Sequence, residues 1–186
     1  MTQFTFSKKD PNSFPFNTTV VSALLERKND RGEIELLLQK RINSNDSVYY
    51  GTLEIPAGHI LKFENIYDAL NREVSEESGY TISEIINDEK TDIFSTLEDD
   101  GAFAFKPFIC QQYIKGRGWG WMGFVFRCLV EKGETKEIDN EAADHHWVTL
   151  VELKNMLTEN PKQFFTFHLP VLHYYINFHE KNIEQK

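Results

Sequence analysis

Three glutamates have a spacing that could bring their carboxylates together on one side of a helix. Glu73, Glu76 and Glu77 are spaced i, i+3 and i+4, which at 100° per residue places them within a sector of roughly 100°. Like charges at this spacing destabilise a helix by about 0.2–0.5 kcal/mol per pair. The sector borders an apolar stripe that includes Leu70 and Val74, and partly buried like charges need a cation or an altered protonation state. Clustered carboxylate oxygens suit a hard divalent ion such as Mg²⁺. The spacing alone leaves a metal site and a solvated helix face open.

The helix that carries these glutamates has recognisable ends. Asn65 is a suitable N-cap, and Gly79 suits the left-handed residue that ends a helix. The sequence therefore predicts a helix over residues 65–78. A strand is expected over Tyr49–Ile55, stopped by Pro56. The Pro-Ala-Gly turn that follows would bring main-chain carbonyls and amides close to the helix.

Loop and helix together contain a regular set of residues over positions 58–80. The set is Gly58, Glu64, Arg72, Glu73, Glu76, Glu77 and Gly79. It resembles the Nudix hydrolase signature, and every fixed position matches at the correct spacing. Tyr80 is the loose fit, because an aliphatic residue is usual there.

The resemblance implies a fold and a chemistry. The fold is α/β (α+β), a mixed β-sheet sandwiched between α-helices. The chemistry is Mg²⁺-dependent hydrolysis of a pyrophosphate bond in a nucleoside diphosphate linked to another moiety, with Mn²⁺ as a second metal that could serve. The alternative is a Nudix domain that senses a ligand or binds a partner without turnover, although such domains usually lack one or more of the helix glutamates.

The resemblance also assigns roles to residues of the signature. Glu76 and Glu77 would be metal ligands, Glu73 a ligand or a base that orients water, and the Ala57 carbonyl a further ligand. Glu64 and Arg72 would form an ion pair that braces the loop. Gly58 and Gly79 would be structural.

Family members often carry another acid a few residues before a Trp near the last core strand. Glu141, six residues before Trp147, is the best candidate here for a catalytic base or extra ligand. Glu137 and Asp144 are rivals, and an acid on a solvated loop is the alternative interpretation. His145 and His146 could also reach the site.

Four residues are candidates for substrate contacts: Arg41, Glu54, Trp119 and Trp121. The tryptophans flank a Gly-rich turn where a ring could stack on a base; an ordinary hairpin turn with core aromatics is the alternative. Arg41 ends the second strand and could touch a phosphate, or it could be a surface arginine. The sequence Glu-Ile-Pro-Ala-Gly at residues 54–58 is similar to that of ADP-ribose pyrophosphatases. ADP-ribose or a nucleotide sugar is therefore the first expected substrate class, and (d)NTPs are the second.

The rest of the chain predicts one domain over residues 1–186. We expect an N-terminal arm over 1–17 and a β-hairpin from Thr18–Leu25 and Glu33–Leu38. An acidic, solvated connection is expected over 84–100. Further strands are expected after it, at Phe103–Tyr113, Gly123–Val130 and His146–Val151. A helix is expected near 150–158. The C-terminal part, 160–186, should contain a second helix near 169–181 and a tail.

Composition narrows the class of protein. The chain carries 20 Lys plus Arg against 29 Asp plus Glu, a net charge of −9, which argues against general nucleic-acid binding and against an anionic membrane surface. An RNA-decapping role is disfavoured for the same reason. Cys110 and Cys128 lie in apolar, strand-like runs, so we expect two buried free thiols and a cytoplasmic protein. The expected partner is a small-molecule nucleotide, and a homodimer through the N-terminal arm is left open.

Overall fold

The computed structural model describes residues 17–42, 48–98, 100–114, 120–130 and 142–184. Several sequence predictions therefore lie outside the described residues, namely most of the N-terminal arm and the residues Trp119, Glu137 and Glu141. Among the described helices, none combines the length and the apolar character that crossing a membrane requires.

The described chain forms strands and helices with the following bounds. The strands are β1 (Asn17–Lys28), β2 (Ile34–Arg41), β3 (Leu53–Glu54), β4 (Ala57–His59), β5 (Ile82–Ile85), β6 (Glu89–Lys90), β7 (Phe105–Lys106), β8 (Ile109–Ile114), β9 (Gly120–Val130) and β10 (Ala142–Thr149). The helices are α1 (Ile66–Ser78), α2 (Leu150–Glu159) and α3 (Leu169–Glu184), with a 3₁₀ turn over Pro161–Gln163.

Eight of the described strands form one mixed sheet. Its central order is β10-β2-β1-β9-β5, with β3 on β2, β4 on β1 and β8 on β9. β1 and β9 run parallel over ten residue pairs, from Asn17 with Gly120 to Glu26 with Leu129, whereas the other pairs are antiparallel. Strands β6 and β7 pair separately. The predicted mixed sheet is confirmed.

Helices cover both faces of this sheet, which explains why its central strands are apolar on both sides. Alternate residues of β1 belong to different cores. Val21 and Leu25 pack in a cluster with Leu70 and Val74 of α1. Leu24 packs in the opposite cluster with residues of α2 and α3. The sandwich of a sheet between helices, predicted from the signature, is the observed architecture.

Local patterns predicted most elements well. The first hairpin is β1 with β2, and the helices predicted at 65–78, 150–158 and 169–181 are α1, α2 and α3. The strand predicted at Tyr49–Ile55 is shorter, because the chain turns before it and Gly51 has a φ of 81°. The start of the acidic connection overlaps β5, which pairs with β9 at the sheet edge. Cys128 is buried as expected, but Cys110 is exposed.

Candidate active site

Helix α1 presents its glutamates toward strand β4 because both of its ends are fixed. At the start, the Asn65 side chain accepts hydrogen bonds from the amides of Tyr67 and Asp68 at 2.9 and 3.0 Å. At the end, Gly79 has a φ of 74° and its N–H donates to the Ser75 carbonyl. A left-handed conformation of this kind favours glycine. The apolar face of the helix packs on the sheet, so the bordering carboxylates lie near the sheet edge.

The loop before α1 is held by a two-point ion pair. Arg72 Nε donates to Glu64 Oε1 at 2.8 Å, and Arg72 Nη2 donates to Glu64 Oε2 at 2.9 Å. The same guanidinium donates to the His59 carbonyl at 3.0 Å, while the Leu61 amide donates to Glu64 at 2.9 Å. The hydrogen bond from Arg72 lowers the pKa of Glu64 to about 2, with the Leu61 amide as the next cause. The pair ties the loop to the first half of the helix.

The Glu73 carboxylate lies directly against the main chain of Gly58. A Cβ atom built on Gly58 would sit 2.0 Å from the carboxyl carbon of Glu73 and 2.1 Å from each of its oxygens. No side chain fits there unless Glu73 moves. Glu73 Oε1 also accepts from Arg72 Nη1 at 2.7 Å. The glycine therefore sets the position of this carboxylate.

Glu77 is a buried carboxylate at the base of the site. Its residue is 3% exposed, and its Oε2 accepts from Gln39 Nε2 at 2.7 Å and from the Ala57 amide at 2.9 Å. Burial raises the pKa of Glu77 well above its usual range, and the charges of Glu54 and then Glu73 raise it further. Several carboxylates are therefore close enough to destabilise one another's ionised forms.

Arg41 and Glu54 meet beside these carboxylates. Arg41 Nη1 contacts Glu54 Oε2 at 3.3 Å, and both side chains are largely buried. The Arg41 guanidinium also lies over the Phe165 ring, 5.1 Å from its centroid. An arginine in this position is a candidate phosphate ligand. Its burial differs from that of an ordinary surface arginine, which was the alternative interpretation.

Arg41, Glu54 and Glu73 line one cavity of about 550 Å³, whereas the buried Glu77 is not among its lining residues. Its acidic end contains Glu54, Glu73 and Glu76, and its other wall is aromatic and includes Trp121 and Phe165. The Trp121 ring packs against Phe165, with 5.9 Å between the ring centroids. Its indole is half-buried, so both interpretations of this tryptophan hold in part, because the ring contacts core aromatics and also lines the cavity.

The donor set has the chemistry of a site for a hard divalent ion. The glutamates offer carboxylate oxygens, which Mg²⁺ and Mn²⁺ prefer. A cation would offset the two causes that raise the pKa of Glu77, which are its burial and then the charges of Glu54 and Glu73. Within the described ranges, however, no three His, Cys, Asp or Glu side chains are already arranged as a metal site. Arg72 holds Glu73 at 2.7 Å and Glu76 at 3.1 Å. Binding of the ion would thus require Glu73 and Glu76 to give up their contacts with the Arg72 guanidinium.

The candidates outside the signature separate clearly. Asp144 forms an exposed ion pair with Lys40 at 2.6 Å, and the hydrogen bond from Lys40 lowers the pKa of Asp144. It does not line the cavity. His145 Nε2 lies 2.7 Å from the Glu77 carbonyl oxygen, at the end of α1, whereas His146 Nδ1 lies 3.0 Å from the Asp144 carbonyl oxygen.

Sequence reasoning missed Gln39 and a C-terminal part of the cavity wall. Gln39 is the partner of Glu77, but a lone polar residue in an apolar strand gave the only signal. Phe165, Phe167 and His168 line the cavity from the segment before α3. The aromatic run Phe164-Phe165-Thr166-Phe167-His168 is visible in the sequence, yet nothing local places it beside β3. The observed contact is a parallel bridge between Leu53 and Phe164.

Comparison with known proteins gives consistent matches. The family model for the NUDIX domain matches residues 17–168. A Caenorhabditis elegans protein named "Putative nudix hydrolase 1" is 27% identical over 139 residues, which is 74% of this chain and 30% of that protein. The chain thus spans under a third of the length of that relative.

Solved structures share the fold. A MutT protein from Methanosarcina mazei has a TM-score of 0.59 at 20% identity, covering 89% of this chain and 96% of its own. The NUDIX domain of Shewanella oneidensis NrtR, solved with ADP ribose, has a TM-score of 0.58 at 18% identity, covering 94% of each chain. At these identities the likeness establishes the architecture alone.

Proposed function

Because the chain belongs to the Nudix family, whose domain model covers residues 17–168, we propose that it hydrolyses a pyrophosphate bond in a nucleoside diphosphate linked to another moiety. ADP-ribose or a nucleotide sugar is the first substrate class and (d)NTPs are the second. The binding of ADP ribose by the NrtR domain supports the first class. The reaction is proposed to take place in the cytoplasm, where the two free cysteines would stay reduced.

One observation carries this proposal, namely the buried carboxylate of Glu77. It is held by Gln39 and the Ala57 amide and lies close enough to Glu54 and Glu73 for their charges to raise its pKa. A protein that only needed a stable core would gain by replacing a buried carboxylate with an apolar residue. Keeping it is expected where the carboxylate binds a cation.

The roles of the other residues follow from charge. A pyrophosphate and the acidic end of the cavity repel each other, so the substrate needs a bridging cation. A bound divalent ion would supply charge neutralisation and an activated water molecule. Glu73, Glu76 and Glu77 would hold it, with the Ala57 carbonyl as a further ligand. Arg72 keeps Glu73 in place before loading.

The remaining residues would bind the substrate itself. Arg41, which contacts both Glu54 and Phe165, would bind a phosphate that the ion does not reach. Trp121 would pack against the nucleoside. Glu54 orients Arg41 through their ion pair. Glu141, which lies outside the described residues, stays our first candidate for the base.

A substrate panel tests the proposal. ADP-ribose, nucleotide sugars, dinucleoside polyphosphates and (d)NTPs would each be incubated with Mg²⁺, with Mn²⁺ and with EDTA, and released nucleotide or phosphate measured. We expect hydrolysis of at least one substrate with metal and none with EDTA. The absence of turnover on the whole panel, with the protein shown to be folded, would contradict the proposal.

A ligand-binding module without turnover is the second candidate. The observation that favours it is the hold of Arg72 on both Glu73 and Glu76, which competes with metal binding. Titration calorimetry with ADP-ribose and Mg²⁺ separates the two candidates. Binding without product in the calorimeter cell would favour the module, whereas product formation would exclude it.

A further inference from the structure

His168 is a buried imidazole in the wall of the cavity that has no hydrogen-bond partner. The residue is 1% exposed, and it lines the cavity together with Arg41 and Trp121. Neither Nδ1 nor Nε2 has a hydrogen-bond partner, although both atoms are shielded from water. Buried polar side chains nearly always have partners, so an exception of this kind calls for an explanation.

The position of His168 is fixed by the main chain around it. The Phe165 amide donates to the Leu53 carbonyl at 2.9 Å, which joins this segment to β3. The His168 amide donates to the Phe165 carbonyl at 2.9 Å, and the Leu172 amide donates to the His168 carbonyl at 3.0 Å. His168 therefore immediately precedes α3 on a segment that is anchored beside Glu54. These main-chain hydrogen bonds hold the imidazole in the cavity wall.

The chemistry of this imidazole suits an uncharged ligand group. Burial lowers the pKa of His168 to about 3, and the positive charge of Arg41 lowers it further. At neutral pH the ring thus has one N–H donor and one nitrogen acceptor. Such a ring can pair with a hydroxyl, an amide-like N–H or a carbonyl, but it offers no charge to a phosphate.

The surroundings of His168 also indicate which part of a substrate would reach it. The rings of Phe165 and Phe167 lie 5.6 and 5.0 Å from the imidazole, centroid to centroid. Two of the carboxylates that would hold the cation, those of Glu73 and Glu76, line the same cavity. Arg41, which would bind a phosphate, lines it as well. A substrate with its pyrophosphate at those charges would place its nucleoside along the aromatic wall, where His168 stands.

We propose that His168 is a specificity-determining residue that hydrogen-bonds an uncharged polar group of the nucleoside, either a sugar hydroxyl or a polar edge of the base. The inference rests on the proposed function, because it assumes that the cavity takes a nucleotide. The bound nucleoside supplies the partner that the protein leaves out, and the ring discriminates against substrates without such a group.

Binding measurements without turnover test this inference. AMP, ribose 5-phosphate and inorganic pyrophosphate would be titrated with Mg²⁺ into the wild type and His168→Phe. We expect the Kd of AMP to rise about tenfold, the loss that one hydrogen bond of about 1.4 kcal/mol produces. The Kd of pyrophosphate should stay unchanged. A parallel rise for ribose 5-phosphate assigns the sugar hydroxyl, and a rise for AMP alone assigns the base.

A matched control exists on α3. His179 is also buried, with an unpartnered Nε2, but it packs against Tyr175 and does not line the cavity. His179→Phe makes the same chemical change elsewhere and should leave the Kd of AMP at the wild-type value. An equal effect of His168→Phe and His179→Phe would overturn the inference.

A spectroscopic readout and a conservative variant keep the inference testable if His168→Phe folds poorly. In protein labelled with ¹⁵N-histidine, AMP should shift the His168 ring nitrogens, as expected for a new hydrogen bond, and pyrophosphate should not. His168→Gln, which keeps a donor and an acceptor, should bind AMP more tightly than His168→Phe. Unchanged ring-nitrogen shifts at saturating AMP would overturn the inference.

These outcomes also separate the inference from the proposed function. AMP binding that depends on His168, in a protein that hydrolyses nothing on the panel, would contradict the proposed hydrolysis and support the role of His168. Turnover of a panel substrate with the same KM in the wild type and His168→Phe would contradict the role of His168 alone.

Discussion

Replacing Gly58 with alanine should remove activity while leaving the fold intact. The new Cβ would lie 2.0 Å from the Glu73 carboxyl carbon, whereas ordinary contact begins at 3.4 Å. The carboxyl group must therefore move by roughly 1.4 Å. The atom that moves is the end of a flexible side chain, so the free energy of unfolding should change by less than about 1 kcal/mol.

The effect on catalysis should be much larger than the effect on stability. Misplacing a catalytic group by about 1 Å costs on the order of 10²-fold in rate, so we expect kcat/KM of Gly58→Ala to fall by about that factor. The assay pairs initial rates on the best panel substrate with urea denaturation. Gly32→Ala is the matched control, because Gly32 has a φ of 79° and nothing within 4 Å of its added Cβ. It should lose about 1–2 kcal/mol of stability and keep its activity. A Gly58→Ala protein with wild-type kcat/KM would refute the placement of Glu73 in the site.

Two further predictions concern the loop brace and the core. Glu64→Gln should lower Tm at pH 7. Because the pKa of Glu64 falls from 4.5 to about 2 on folding, the stabilisation by its charge is present above pH 4.5 and is lost as the pH falls toward 2. The Tm curves of wild type and variant should therefore converge near pH 2, and a constant difference down to that pH would contradict this reasoning. Arg127→Met leaves the buried Glu26 carboxylate without the donor that lies 2.5 Å away, so the free energy of unfolding measured in urea should fall by about 3–5 kcal/mol. The double variant Glu26→Gln/Arg127→Met should recover much of that loss. A double variant no more stable than Arg127→Met would contradict this prediction.

The sequence predicted the parts of the site that local patterns control. The ends of α1 follow from the capping chemistry of Asn65 and the left-handed conformation of Gly79, both visible as residue types at fixed spacing. The signature singled out Gly58 and Arg72, and in the structure Gly58 lies against Glu73 and Arg72 pairs with Glu64. Local patterns predicted the individual strands and helices, whereas the mixed sheet between helices was implied by the resemblance to the Nudix signature.

The parts that it could not predict depend on long-range packing. His168 and Phe165 reach the cavity because the segment before α3 pairs with β3, more than a hundred residues earlier in the chain. Cys110 lies in an apolar run but is exposed, because side chains alternate between the two faces of β8 and its neighbour Gln111 takes the buried position. Asp144 is near Trp147 in sequence, yet its φ of 50° and its pairing with Lys40 direct it away from the cavity.

Turnover by Glu77→Gln as a function of Mg²⁺ concentration tests the central claim most directly. The wild type should show activity that saturates with Mg²⁺ and disappears in EDTA. Glu77→Gln keeps the shape of the buried side chain but loses its charge, so at saturating Mg²⁺ its kcat should fall by on the order of 10²-fold or more. The exposed control Glu159→Gln should behave like the wild type. A Glu77→Gln protein that turns over substrate at the wild-type rate, or a wild type indifferent to EDTA, would contradict the claim that these carboxylates form a metal-dependent hydrolytic site.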